Sequence, residues 1–166
     1  MPLFETITDL RLGEDVLRRR RYGVIVAQAG KLSAVHLRPW AKMISLPEAL
    51  WLGRWNHDRL QGNRCWLYYN QPLGHSNFLA VKYIVSSGDC TFATARAAVT
   101  VLEEIARIKQ TDAALCDVTN HRISDRLLAR EGWESHCPGS RRRHFIKRFY
   151  GEYPDPDSAW ALCEAA

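Results

Sequence analysis

The stretch from Ala113 to Tyr150 constrains the fold more than any other part of this chain. It begins with a short apolar run, passes through turn residues into an amphipathic segment at 123–131, and reaches Gly132. Glycine adopts a positive φ without steric cost, so Gly132 is typical of the residue just past a helix end. A longer helical segment at 91–109 lies before this stretch and follows another apolar run, 78–85. This order predicts alternating strands and helices packed in layers.

The first half of the chain adds further elements to this pattern. Runs rich in β-branched and aromatic residues indicate strands, and Pro47 sits where a helix tolerates proline in its first turn. The predicted elements are a helix at 14–21, strands at 22–28 and 32–37, a helix at 47–60, and a strand at 65–69. The sequence therefore predicts one α/β domain with a mixed sheet over residues 1–150, followed by a C-terminal tail over 151–166.

Composition limits the class of protein and its location. The chain has 166 residues, of which 46% are hydrophobic and 25% charged, values of an ordinary globular domain. No apolar run approaches the roughly 18 residues that a membrane-spanning helix needs, and no signal peptide is evident, so a cytoplasmic location is expected. The five cysteines are widely spaced and form no CxxC pair. They are expected to be free thiols, and no metal site is expected.

The net charge of +5 comes mostly from two arginine runs, at 18–21 and 141–143. Arginine binds phosphate groups in a bidentate geometry, so either run could contact nucleic acid or a phosphorylated cofactor. A solvated basic surface is the alternative interpretation. Neither run is interleaved with the aromatic residues typical of single-strand binding.

Residues 78–150 resemble the C-terminal half of the GNAT acyltransferase superfamily. The matching residues are Asn120, which follows the predicted strand, and the pair Gly132 and Trp133 at the end of the helix. The resemblance implies a single-domain GNAT-like fold with a central splayed mixed sheet flanked by helices. It also implies acetyl-CoA or another acyl-CoA as co-substrate in the V-shaped gap, an amine acceptor and no metal.

The resemblance implies that the acyl-CoA pyrophosphate lies at the start of the long helix, where unpaired amides and the helix dipole favour anions. The family pattern Q/R-x-x-G-x-G/A falls on residues 90–95, which keep a small residue at Ala95 but depart from the pattern at Cys90 and Ala93. Arg96 follows, where it could reach a phosphate. The expected cofactor contacts are Val85 (through its backbone N–H, toward the thioester carbonyl), Cys90, Thr91, Ala93, Thr94, Ala95, Arg96 and Asn120.

The residues that would transfer protons match the family pattern less well than the layout of strands and helices does. Leu128 stands where the family often has a tyrosine that protonates the departing thiolate. Candidates for proton transfer are Tyr83, Asp117 and His121, whose alternative roles are a core residue, a turn cap and a surface loop residue. Two functions stay open: an N-acyltransferase, and a non-catalytic GNAT-fold module that binds nucleic acid through its arginine runs. An unrelated α/β domain is a third possibility, and a homodimer stays open.

Overall fold

Eight strands and four helices define the fold in the part of the chain that the structure describes. The computed structural model describes residues 3–40, 62–118, 123–137, 139 and 142–163. The strands are β1 (Glu5–Ile7), β2 (Tyr22–Gln28), β3 (Lys31–Arg38), β4 (Arg64–Asn70), β5 (Phe78–Ser86), β6 (Ala113–Asp117), β7 (Glu134–His136) and β8 (His144–Arg148). The helices are α1 (Glu14–Arg19), α2 (Phe92–Lys109), α3 (Asp125–Arg130) and α4 (Pro156–Trp160). The helix predicted at 47–60 lies outside the described residues.

These strands form one mixed sheet in the order β1-β3-β2-β4-β5-β6-β8-β7. β5 and β6 are parallel and are connected through α2, whereas every other neighbouring pair is antiparallel. A parallel pair needs such a crossover because a short turn cannot return the chain to the same end of the sheet. The predicted α/β mixed sheet is confirmed. β1 was not predicted.

The hairpin of β2 and β3 turns at Ala29 and Gly30, whose φ angles are 50° and 80°. Two consecutive positive φ values suit the twist of a two-residue hairpin, and the glycine adopts its value without strain. This turn lies beside the start of α2: a Cβ at Gly30 would be 3.9 Å from the Cβ of Ala93. The hairpin therefore contributes to the region where the cofactor contacts were predicted.

Helix α2 lies at the centre of the main core, a buried cluster that also includes Leu67 of β4 and Phe145 of β8. Ala98, Leu102 and Ile105 are fully buried, as the helical period predicted. The spacing of apolar residues predicts a buried stripe of Ala95, Val99, Leu102, Ala106 and Lys109, flanked by Ala98 and Ile105. Of these, Ala95, Val99 and Lys109 are only half-buried. The buried face is displaced and broadened because α1 and α4 pack on α2 as well as the sheet.

The opposite side of the sheet, called here the second face, carries a smaller apolar cluster. Val24, Tyr68 and Val85 are its buried members, and Trp66 and Tyr83 pack against them. Side chains alternate between the two faces along a strand, so Leu67 and Tyr68 of β4 belong to different clusters. The second face is therefore partly apolar, and none of the four described helices contributes to its apolar cluster.

Helix α3 begins at Asp125, two residues later than predicted, and ends before the predicted glycine. The Ser124 hydroxyl accepts a hydrogen bond from the Leu127 N–H at 3.2 Å, which caps the first turn. At the other end Gly132 has a φ of 80°, and the Trp133 N–H donates to the Leu128 carbonyl at 2.9 Å. These contacts confirm the predicted glycine stop.

The segment predicted as a C-terminal tail packs on the rest of the domain. The Tyr153 hydroxyl donates to the Thr111 carbonyl oxygen at 2.9 Å, and the Trp160 indole N–H donates to Glu104 Oε1 at 3.2 Å. Glu104 is 3% exposed and also accepts two hydrogen bonds from the Arg107 guanidinium. The buried carboxylate thus joins α4 to α2.

Lys109, at the end of α2, gives a prediction about stability. Its Nζ donates to the carbonyl oxygens of Arg18 and Arg20 and to Gln71 Oε1, at 3.3, 2.7 and 3.1 Å. Burial and, to a smaller extent, the charge of Arg21 lower the pKa of Lys109 from 10.5 to about 8. Between these two values the unfolded chain binds more protons than the folded chain, so the contribution of Lys109 to stability rises with pH.

We expect the free energy of unfolding of the wild type, relative to Lys109→Met, to increase by about 1 kcal/mol from pH 7 to pH 9.5, a value reduced for partial solvent screening. Urea unfolding of both proteins across this range measures the difference. Because both proteins share every other titrating group, parallel stability curves would show that the lysine is not perturbed.

Candidate functional site

The two parallel strands part inside the sheet. β5 pairs with β6 only from Phe78 to Val81, opposite Ala113 to Cys116. β5 continues to Ser86, and its pairing with β4 also continues to that residue. Among the described residues, the β6-facing edge of β5 beyond Val81 has no partner strand. The sheet therefore has a gap on one side of β5.

An extra residue in β5 stands where the gap begins. Tyr69 of β4 pairs with Val81, but the adjacent Tyr68 pairs with Tyr83, so Lys82 has no partner in β4. Such a β-bulge bends the strand and changes which face its later side chains occupy. Val81 packs on the main core, whereas Tyr83 packs on the second face. The bulge and the parting of the strands coincide.

The alternation of backbone groups identifies which amides face the gap. The Ser87 N–H donates to the Arg64 carbonyl oxygen across the β4 side at 3.0 Å. In an antiparallel pair every second residue points to the same neighbour, so the Val85 N–H also points to β4, and Ile84 and Ser86 point to the gap. The backbone donor predicted at Val85 is therefore corrected to Ile84 and Ser86.

The start of α2 lies at the end of this strand and is partly capped by the protein itself. Thr91 is the N-cap, and its hydroxyl accepts a hydrogen bond from the Thr94 N–H at 3.3 Å. The Thr91 N–H donates to Asn63 Oδ1 at 2.9 Å. Thr94 is fully buried and its hydroxyl accepts from the Gly30 N–H at 2.9 Å. Thr94 therefore supports the turn and is not exposed to a ligand, contrary to the prediction.

Two backbone donors at this helix start remain without an acceptor among the described residues, the N–H groups of Phe92 and Ala93. Ala93 is exposed, and the first turn of α2 contains no acidic residue. The side chain of Arg96 is 62% exposed, with its Nε 3.5 Å from Glu131 Oε2. The helix start thus offers two amides and a nearby guanidinium to an anion.

The other two residues predicted at this loop are oriented differently. Cys90 and Ala95 are half-buried and pack against the main core. Burial raises the pKa of the Cys90 thiol, which also lies close to Cys65. Small side chains at these positions allow the helix start to pack closely. Of the predicted contacts at this loop, Thr91, Ala93 and Arg96 are exposed.

Asp117 and Tyr83 lie on the strands that border the gap, and both belong to the second face. Asp117 Oδ1 is 2.9 Å from Nδ1 of His144, its register partner in β8, and Asp117 Oδ2 is 3.7 Å from Arg142. Burial raises the pKa of Tyr83, whose ring centroid is 6.0 Å from that of Tyr68. His144 was not predicted, because only the pairing of β6 with β8 brings it to Asp117.

Asn120, a predicted cofactor contact, and His121, a candidate for proton transfer, lie outside the described residues. Leu128, at the position where the family often has a tyrosine, is half-buried and packs against the main core.

The arginine runs make contacts within the chain. Arg18 pairs with Glu14 at 2.7 Å, the Arg19 Nε donates to the Asp15 carbonyl oxygen at 3.2 Å, and Arg20 pairs with Glu5 at 3.1 Å. In the second run Arg142 lies near Asp117 and Arg143 pairs with Asp125, while Arg141 lies outside the described residues. These contacts neutralise much of the charge that the sequence concentrates there.

The prediction of free cysteines is confirmed for Cys65, Cys90, Cys116, Cys137 and Cys163. The residues described here contain no group of three or more His, Cys, Asp or Glu side chains that could hold a metal ion. Nor does any helix in the described ranges combine the length and apolar composition needed to cross a membrane.

Fold and site together define a class: an α+β protein whose mixed sheet opens between two parallel strands, beside the start of a long helix. No family model matches the chain, and no curated protein or solved structure matches it.

Proposed function

We propose that this chain is a GNAT-like N-acyltransferase that binds acyl-CoA in the gap between β5 and β6. The observation that carries the proposal is the end of the β5–β6 pairing at Val81 and Cys116, beside a helix start where two amides have no acceptor in the described part of the chain. An extended ligand with amide groups can add to the exposed edge of β5 as a strand would. The pantetheine arm of acyl-CoA has this chemistry.

The anionic end of the ligand fits the start of α2. The pyrophosphate accepts hydrogen bonds from the N–H groups of Phe92 and Ala93, and Arg96 supplies a positive charge beside it. The absence of acidic residues from the first turn of α2 leaves the positive end of the helix dipole available. Both parts of the ligand thus have a matching surface on β5 and α2.

In the proposed reaction, the acceptor amine attacks the thioester carbonyl carbon, and the C–S bond then breaks to release CoA as a thiolate. The gap-facing N–H of Ile84 or Ser86 stabilises the negative oxygen of the tetrahedral intermediate. Holding the amine and the thioester together supplies much of the remaining acceleration.

Two proton transfers accompany this step. Asp117 accepts the Nδ1–H of His144, which leaves Nε2 of His144 as the base that takes a proton from the amine. Asp117 is then a positioning residue. The Tyr83 phenol carries its proton near pH 7 and donates it to the departing thiolate in place of the residue that Leu128 cannot supply.

Calorimetric titration with acetyl-CoA, CoA and 3′,5′-ADP tests the binding part of the proposal. We expect a Kd of about 1–50 µM for acetyl-CoA and CoA. We expect 3′,5′-ADP to bind about tenfold more weakly or worse, because it lacks the pantetheine arm that occupies the gap.

Two outcomes would count against the proposal. If the folded protein takes up neither acetyl-CoA nor CoA, the transferase assignment fails. If 3′,5′-ADP binds as tightly as acetyl-CoA, the anion site is supported but occupation of the gap is not, and acyl transfer there fails with it.

A further inference from the structure

We propose that the second face of the sheet carries a separate binding site for a small aromatic carboxylate. A groove of about 460 Å³ lies over strands β1 to β4 on this face. This volume is in the range of small-molecule sites. Val24, Val26, Trp66 and Tyr68 provide its apolar lining. The inference is independent of acyl transfer, because the groove is formed by strands other than β5 and β6.

The groove has a positive charge near each end. Arg64 is the register partner of Gln28, and Arg38 is the register partner of Tyr22. These positions on β2 are six residues apart, which corresponds to about 20 Å along the strand. Among the described residues that line the groove, the acidic residue is Glu5, and it already accepts a hydrogen bond from Arg20. The lining therefore favours an anion.

The aromatic side chains of the groove set the shape of the ligand. The Arg38 guanidinium lies 5.7 Å from the Tyr68 ring centroid, which keeps this cation against the apolar lining. Trp66 lies two residues from Arg64 on the same face, and its indole N–H is buried with no acceptor among the residues that the structure describes. A flat apolar body with one carboxylate would contact the exposed part of the Trp66 ring and pair with an arginine.

The test is an NMR titration of the full chain, without CoA, using three ligands that share the naphthyl ring and differ in the charge of the head group: 2-naphthylacetate, 2-naphthylacetamide and 2-(2-naphthyl)ethylamine. We expect 2-naphthylacetate to bind with a Kd of about 0.5 mM and to shift the Trp66 indole N–H signal, assigned with Trp66→Phe. We expect the neutral amide to bind about tenfold more weakly, and the amine more weakly still.

Variants separate this site from general charge effects. Arg64→Gln and Arg38→Gln are each made, and at least one of these changes should weaken the binding of 2-naphthylacetate about tenfold. Arg126→Gln, an exposed change on α3, is the matched control and should bind as the wild type does. Equal affinity for all three ligands would overturn the proposal, as would unchanged binding in both groove variants. Absence of binding to 2-naphthylacetate would also overturn it, whatever the result with acetyl-CoA.

Discussion

Ala93→Glu is expected to weaken the binding of acetyl-CoA about 100-fold or more. Ala93 is exposed in the first turn of α2, where its own N–H and that of Phe92 lack acceptors among the described residues. A glutamate there places a negative charge and four additional side-chain atoms beyond Cβ where the pyrophosphate is proposed to lie. The fold should survive, because a negative charge near a helix start stabilises it by about 0.3–1 kcal/mol.

Calorimetric titration measures the loss, and thermal unfolding checks that Ala93→Glu is folded. Ala161→Glu is the matched control, because it adds the same charge at an exposed position just after α4. Wild-type affinity in Ala93→Glu would show that the pyrophosphate does not bind at the start of α2. Equal weakening in Ala161→Glu would show that the effect depends only on net charge.

Gly23→Ala is expected to lower the free energy of unfolding by about 3 kcal/mol. A Cβ at this position would lie 2.7 Å from both Cε1 and Oη of Tyr69 and 2.8 Å from its Cζ. Tyr69 is fully buried in the main core, so its ring cannot turn away without displacing neighbours. Gly23 is thus required by close packing, because the ring of the facing residue fills the space where its side chain would be.

Urea unfolding measures this change, and Gly139→Ala is its control, since a Cβ there meets nothing within 4 Å. The control should remain within about 0.5 kcal/mol of the wild type. Adding Tyr69→Leu to Gly23→Ala should recover part of the loss by removing the ring. If Gly23→Ala is as stable as the wild type, or if the two changes are additive, the clash with Tyr69 is not the cause.

Long elements with a clear period could be predicted from the sequence. The prediction of 22–28 coincides with β2, and that of 91–109 differs from α2 by one residue. Both rest on local patterns, either a run of β-branched residues or a helical spacing of apolar residues. β1 was missed because three residues, Glu5 to Ile7, are too few to show alternation.

The site required information that local patterns do not contain. Lys82 lies in a run without glycine or proline, so nothing in the sequence indicates a bulge there. The pairing of Asp117 with His144 depends on the register between β6 and β8, which are distant in sequence. The burial of Thr94 likewise depends on its hydrogen bond with Gly30, which lies far away in the sequence, in the hairpin of β2 and β3. Candidate positions could be proposed from the sequence, but the availability of their side chains could not.

Because Lys82 is an extra residue without a partner in β4, the gap depends on the number of residues in β5 and not on the chemistry of their side chains. Replacing Lys82 with another residue would keep the number of residues in β5, and therefore the exchange of faces after Val81. Deleting it would restore simple alternation, with Val81 and Tyr83 adjacent and on opposite faces, and would bring the later amides of β5 back into phase with β6. An insertion or a deletion, and not a substitution, is thus the kind of change by which such a sheet would gain or lose its opening.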